Sequence, residues 1–197
     1  LLQFYTREAT PGRVHEWIRQ LEQSGRLLRC YTMNIDGLER KAGITRLVEL
    51  HGLLSSGGRC GRKRLSVSAM QDMAGDTQYW TQFEDANACQ LRPNIVLYGE
   101  HLNESSVHMF ENDIRKADLI LCMGTTLSVE PVASLAKNAV AAGKTLVVVN
   151  NTPLGRDYAP RQLLLNLNEF IKRVNRHAPS TKRLPISSKY VLIFQIN

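Results

Sequence analysis

Long apolar runs are missing from this chain. Nowhere in its 197 residues does a stretch approach the ~20 apolar residues that a bilayer-spanning helix needs, which argues against a helical membrane protein. No leader with an apolar core is visible, but the chain opens on Leu1 rather than methionine, so targeting stays open. Cysteine is scarce. The four present (Cys30, Cys60, Cys89 and Cys122) are scattered and suggest no disulfide framework. Cys30 and Cys122 lie inside apolar runs and read as inert core thiols. Internal repeats are absent. Acidic residues fall short of basic ones, leaving a net charge of +7. The excess gathers at Arg59, Arg62, Lys63 and Arg64, and again at Lys172, Arg173, Arg176, Lys182 and Arg183. Such clusters suit nucleic acid, chromatin or a nuclear import signal, with a solvated surface and a basic tail as the plain alternative.

What is present belongs to a globular protein: 43% hydrophobic and 22% charged residues, in a chain long enough to bury a sizeable core. Thr10-Pro11 has the form of a helix start, a hydroxyl cap followed by proline. Val14, Trp17, Ile18 and Leu21 then share one helical face, and Gly25 ends the helix. Residues 27–31 form an apolar run that predicts a buried strand. Further strands are expected at 95–98, 119–123 and 146–149, and helices at 105–116, from Pro131 to Gly143, and at 162–174. Helix, strand and polar loop in alternation indicate an α/β fold with a mostly parallel sheet. Residues 53–90 differ: they are rich in Ser, Gly, Arg, Gln and Asp, carry isolated aromatics at Tyr79, Trp80 and Phe83, and show no long periodic segment. Such a stretch inside a compact domain is a functional insert or disordered. Past His177 the sequence is basic, then apolar over 190–196, an end with no evident place in the pattern.

The chemistry gathers where strands end. Asn34 and Asp36 follow the 27–31 run, and His51-Gly52 follows a second short apolar run, so an amide, a carboxylate and a histidine converge at strand ends. The run Tyr31-Thr32-Met33-Asn34-Ile35-Asp36-Gly37-Leu38-Glu39 followed by His51-Gly52 resembles the sirtuins, the NAD-dependent protein deacylases. Three later segments agree with it in the family's order: Arg92-Pro93-Asn94-Ile95-Val96-Leu97-Tyr98-Gly99-Glu100, Met123-Gly124-Thr125-Thr126-Leu127 and Val148-Val149-Asn150. The resemblance spans residues 10–151, and its wording is most similar to the fungal nuclear branch that acts on histones.

The resemblance implies roles for particular residues. His51 is the general base that takes a proton from the NAD ribose, once the acyl oxygen of the substrate lysine has displaced nicotinamide. A lone His before Gly is otherwise a loop or packing residue. Asn34, Ile35 and Asp36 serve the nicotinamide side of NAD, against the common alternative of an Asx turn after a strand. Gly124, Thr125, Thr126 and Asn150 serve the ribose side, against ordinary strand-end turns. Val96, Tyr98, Gly99 and Glu100 receive the acetylated peptide as an added strand; the plain alternative is a strand end with a capping acid. The other histidines, His15, His101, His108 and His177, match no catalytic position and are expected at the surface.

Three departures bear on activity. Met33 stands where the family has Gln, and a thioether donates no hydrogen bond. The family's small zinc module belongs in residues 53–90, but Cys60 and Cys89 are the only thiols there and a closed site wants four ligands. No tightly bound zinc is therefore expected. Residues 1–26 hold no Gly-Ala-Gly loop to cradle the NAD diphosphate, so the family part reads as N-terminally truncated. A missing first strand, central in this topology, is expected to leave neighbours unpaired, with poor solubility or partial unfolding.

The expected organisation is an open, mostly parallel Rossmann-type sheet built from residues 1–52 and 91–176. A degraded zinc-module-like insert spans 53–90 and a basic, then apolar, tail spans 177–197. The expected function is NAD-dependent protein-lysine deacetylation, on histones and in the nucleus. A catalytically inactive remnant that binds peptide or chromatin is the second reading. An unrelated nucleotide-binding Rossmann protein is a third, should the His51 motif be coincidence.

Overall fold

The computed structural model describes residues 9–60, 63–66, 68, 91–155, 161–177 and 188–195. Helix α1 (Arg13–Gln23) buries Val14, Trp17, Ile18 and Leu21 on one face, as the apolar spacing requires. Gly12, not Thr10, is the cap, and the buried His15 ring stands in for a capping side chain: its Nδ1 accepts the Gly12 N–H at 3.1 Å. The chain then passes through β1 (Leu27–Thr32), a short helix α2 (Leu38–Lys41) and β2 (Leu47–Glu49). Next come β3 (Gly58–Cys60), β4 (Lys63–Leu65), β5 (Leu91–Pro93), α3 (Glu104–Lys116) and β6 (Leu119–Met123). Finally come α4 (Val132–Ala141), β7 (Thr145–Asn150), β8 (Arg161–Leu164), α5 (Leu167–His177) and β9 (Tyr190–Phe194).

Six strands form one parallel sheet in the order β2-β1-β9-β6-β7-β8. The apolar tail has a place after all: β9 runs between β1 and β6, with Thr32 and Met123 both facing Phe194 in register. The expectation of a sheet lacking its central strand, with unpaired neighbours, is therefore overturned. Side chains of β9 alternate across the sheet. Val191 and Ile193 join Tyr31, Phe110, Cys122, Ala136 and Val148 under α3 and α4. Leu192 and Phe194 join Ile18, Leu27, Cys30, Met123 and Phe170 under α1 and α5. All four are fully buried, as a strand covered on both faces must be. On the α3 side, the buried Asp113 carboxylate accepts from Arg29 Nε at 2.7 Å and Tyr31 Oη at 2.8 Å, tying α3 to β1.

Two expected elements are corrected. Residues 162–174 are not one helix. Arg161–Leu164 form β8, parallel to β7, and α5 begins only after Asn166, whose side-chain oxygen accepts the Glu169 N–H at 2.8 Å. Residues 95–98 are not a strand either. Ile95 makes a single antiparallel bridge to Gly52, and the chain then turns, with Gly99 at φ +86° and the Glu100 carboxylate accepting the Leu97 N–H at 2.9 Å. Around residues 53–90, β4-β3-β5 form a small antiparallel sheet that the irregular composition gave no hint of.

Candidate active site

The sheet order reverses about its centre: the chain steps outward from β1 to β2 on one side and from β6 to β7 and β8 on the other. Ligand sites of open α/β sheets lie at such a point, outside the carboxyl ends of the strands. Residues 33–36, 50–52, 124–126, 150–152 and 195 all gather there, at the ends of β1, β2, β6, β7 and β9.

His51 is half-buried just past β2. Its Nδ1 lies 2.9 Å from the Met33 carbonyl oxygen. A carbonyl only accepts, so the proton sits on Nδ1 and Nε2 is left as a proton acceptor. The backbone around it is fixed as well: the His51 carbonyl accepts from Val96 N at 2.8 Å, and Leu50 N donates to Thr32 O at 2.9 Å. Glycine is required next, because a Cβ on Gly52 would lie 2.2 Å from the Asn94 carbonyl oxygen.

The β1 end is a closed polar network. Asn34 donates its backbone N–H to Thr32 Oγ1 at 3.1 Å and its side-chain Nδ2 to Glu39 Oε1 at 3.2 Å. Thr32 Oγ1 donates to the same Glu39 oxygen at 2.6 Å. Asp36 Oδ1 accepts the Leu38 N–H at 3.0 Å and so starts α2, which carries Glu39. Asp36 is thus partly an Asx turn. Ile35 contributes its carbonyl, which accepts from Leu54 N at 3.0 Å. Met33 departs from expectation: its side chain is buried in the core with Leu50 and Leu127, and it reaches the site through its carbonyl. Burial pushes the Cys30 thiol upward, reinforced by Glu39 and Glu22, and burial does the same for Cys122. Both are inert core thiols.

At the β6 end, Gly124 adopts φ +69°, and a Cβ there would meet the Gln195 carbonyl oxygen at 2.0 Å. The glycine admits the segment that follows β9. The buried Thr125 hydroxyl accepts the Leu127 N–H at 3.2 Å, a local turn, while Thr126 is exposed and pairs with Ser128 at 2.8 Å. Asn150 accepts the Asn151 N–H at 3.0 Å. Between these ends opens a cavity of about 390 Å³ lined by Gly124, Asn150, Thr152, Asn168 and Gln195 among others. Its amides and hydroxyls suit a sugar and a base, the nucleoside parts of NAD.

The expected peptide segment lies beside this centre. Val96 is bonded to the His51 carbonyl, and Tyr98, Gly99 and Glu100 are exposed. Glu100 pairs with Arg92 as well as closing its turn. His101 and His108 are exposed as expected, but His15 is buried, packed edge-on against Phe194. Glu39, His15 and Gln195 are site-forming residues that the sequence did not single out. Glu39 closes the Asn-Ile-Asp-Gly-Leu-Glu run, and that position was the available signal. Cys60 belongs to β3, and Cys89 lies outside the described residues, as does most of the expected zinc-module stretch. Among the described residues, no cluster of three or more His, Cys, Asp or Glu could hold a metal.

The chain is similar to known proteins. The chain is 34% identical over 179 residues to the NAD-dependent protein deacetylase sir-2.1 of Caenorhabditis elegans, covering 86% of this chain and 28% of the worm protein. It is 33% identical over 156 residues to a NAD-dependent protein deacetylase of Haloarcula marismortui, covering 78% of this chain and 59% of that one. It therefore spans just over a quarter of the worm relative's length. A solved structure of Sir2 with a p53 peptide and NAD+ superposes with a TM-score of 0.74 at 29% identity, covering 85% of this chain and 70% of that one. Another, of Sir2 bound to acetylated peptide, gives 0.75 at 28% identity over 86% and 71%. The family model for Sir2 matches residues 1–131, and with it the chain belongs to the Sir2 family.

Proposed function

We propose that this chain is a NAD-dependent protein-lysine deacetylase of sirtuin type, with His51 as general base. The observation that carries the reading is the His51 Nδ1 contact to the Met33 carbonyl, which leaves Nε2 as proton acceptor at the strand ends. NAD+, when bound, supplies a ribose carbon open to attack and nicotinamide as leaving group. His51 Nε2 takes a proton from a ribose hydroxyl. Asn34 and Asp36 orient the nicotinamide side, and Gly124, Thr125, Thr126 and Asn150 line the ribose side. The acetyl-lysine peptide lies along residues 96–100, where exposed Leu97 and Tyr98 offer apolar contact and backbone pairing tolerates many sequences. Support for a peptide ligand comes from the solved Sir2 complexes with a p53 peptide and with an acetylated peptide.

Histones as substrate rest on the similarity of the sequence to the fungal nuclear branch, and the nucleus as location on that similarity together with the net charge of +7 and the exposed basic face of α5, with Lys172, Arg173 and Arg176, which suits chromatin. The test is nicotinamide release from NAD+ with acetylated histone and p53 peptides. Release above the no-peptide background that is lost in His51→Ala is expected, with the histone peptide the better substrate. No release from the unaltered chain with either peptide would leave the second reading, an inactive remnant that binds peptide or chromatin. That reading predicts binding of the peptides without turnover.

A further inference from the structure

We infer that Glu39 is a positioning residue, which sets the Asn34 carboxamide for the nucleotide; the functional half of this inference rests on the sirtuin reading above. Glu39 is fully buried, and among the described residues no cation is paired with it. Burying a carboxylate without a cation is costly, and such a group persists where its hydrogen bonds are needed. Two donors converge on Oε1: Thr32 Oγ1 at 2.6 Å and Asn34 Nδ2 at 3.2 Å. The Asn34 backbone N–H donates to Thr32 Oγ1 at 3.1 Å. Main chain and side chain of Asn34 are thus held by one ring of hydrogen bonds closed through Glu39. Asp36 sets the ring's far side, because its Oδ1 starts the turn of α2 that brings Glu39 back onto β1.

The second Glu39 oxygen points to the same conclusion. Among the described residues, Oε2 is buried without a hydrogen-bond partner, and so is Nε2 of His15. Thr32 lies two residues from Cys30, which packs on the α1 face of the sheet, and His15 rests on Phe194 on that face. The His15 Nδ1 accepts from Gly12, so its Nε2 carries the proton. An unused acceptor and an unused donor therefore lie on the α1 face near the end of β9. Glu39 has the capacity for a further donor beyond the two it holds.

The claim is tested first in the unaltered protein, by nitrogen-15 NMR of the side-chain amides. A held Asn34 amide shows proton shifts displaced from the free-amide positions and slow exchange with water. Signals at free-amide positions with fast exchange would overturn the proposal without any variant. Glu39→Leu keeps volume and removes the acceptors, and is expected to move those signals to the free-amide positions and speed their exchange. Glu39→Gln keeps an acceptor oxygen for Thr32 and Asn34 and should preserve them.

In nicotinamide release, Glu39→Leu should lose about ten- to a hundredfold in kcat/KM for NAD+, the range expected for a hydrogen bond to a charged group. Glu39→Gln should stay within a few-fold of the parent. Asn34→Ala combined with Glu39→Leu should be no worse than Asn34→Ala alone. Losses that multiply, or Asn34 signals unchanged in Glu39→Leu, would show that Glu39 acts on stability only. A parent protein that releases no nicotinamide defeats the deacetylase reading, while the NMR result still decides the positioning claim.

Discussion

Met33 acts through its backbone. Its carbonyl holds the His51 ring, its N–H donates to Phe194 O at 3.0 Å, and its thioether is packed in the core. Restoring the family's glutamine would bury an amide among apolar side chains. Met33→Gln is therefore expected to cost about 1–3 kcal/mol of stability without tightening NAD+ binding. Denaturant melts and nucleotide titration check both halves, and tighter binding would show that the side chain does reach the cleft. The same scale shows why some roles could be seen in the sequence and others could not. His51 and Asn34 stand out because amide and imidazole follow apolar runs. The turn duties of Asp36, Thr125 and Glu100 are just as local. His15 was misjudged because a histidine beside Val14 and Trp17 on an amphipathic helix has no local mark of burial. Its place is fixed by Phe194, 179 residues further on.

Among elements, β9 decides whether the sheet exists. Phe194→Ala removes a fully buried ring that contacts α1 and is expected to cost about 3–5 kcal/mol. Gly124→Ala puts a methyl onto the Gln195 carbonyl and should shift the end of β9 and lower nucleotide affinity together. Thermal unfolding and NAD+ titration of both variants test this. A Gly124→Ala protein with parental stability would mean that the Gln195 segment gives way freely. Strands β1, β6 and β7 and helices α1, α3 and α4 were legible because period and caps are local. The apolar run of residues 190–194 was equally visible as a run, but which strands it would pair with is set by distant neighbours. Composition could not show the small β4-β3-β5 sheet, because residues 58–65 are basic and glycine-rich, and cross-strand pairing there owes little to an apolar pattern.

For the molecule as a whole, His15 links stability to pH. Burial lowers its folded-state pKa below 6.5, against the pull of Glu39 and Asp36. The unfolded chain then binds the extra proton first, so the neutral ring stabilises the fold fully above about pH 6.5, and that stability is lost as pH falls below it. The melting temperature should drop between pH 7.5 and 5, and the drop should shrink in His15→Gln. An equal drop in both proteins would assign the acid sensitivity elsewhere. The place of β9 has a consequence for how the protein comes into being. Translation delivers β2 and β1, and then β6, β7 and β8, well before it delivers the strand that joins them. Until residues 190–194 emerge from the ribosome, the nascent chain is two half-sheets with raw inner edges, open to any passing strand. Of the six strands, the last to be synthesised is the one that seals the seam.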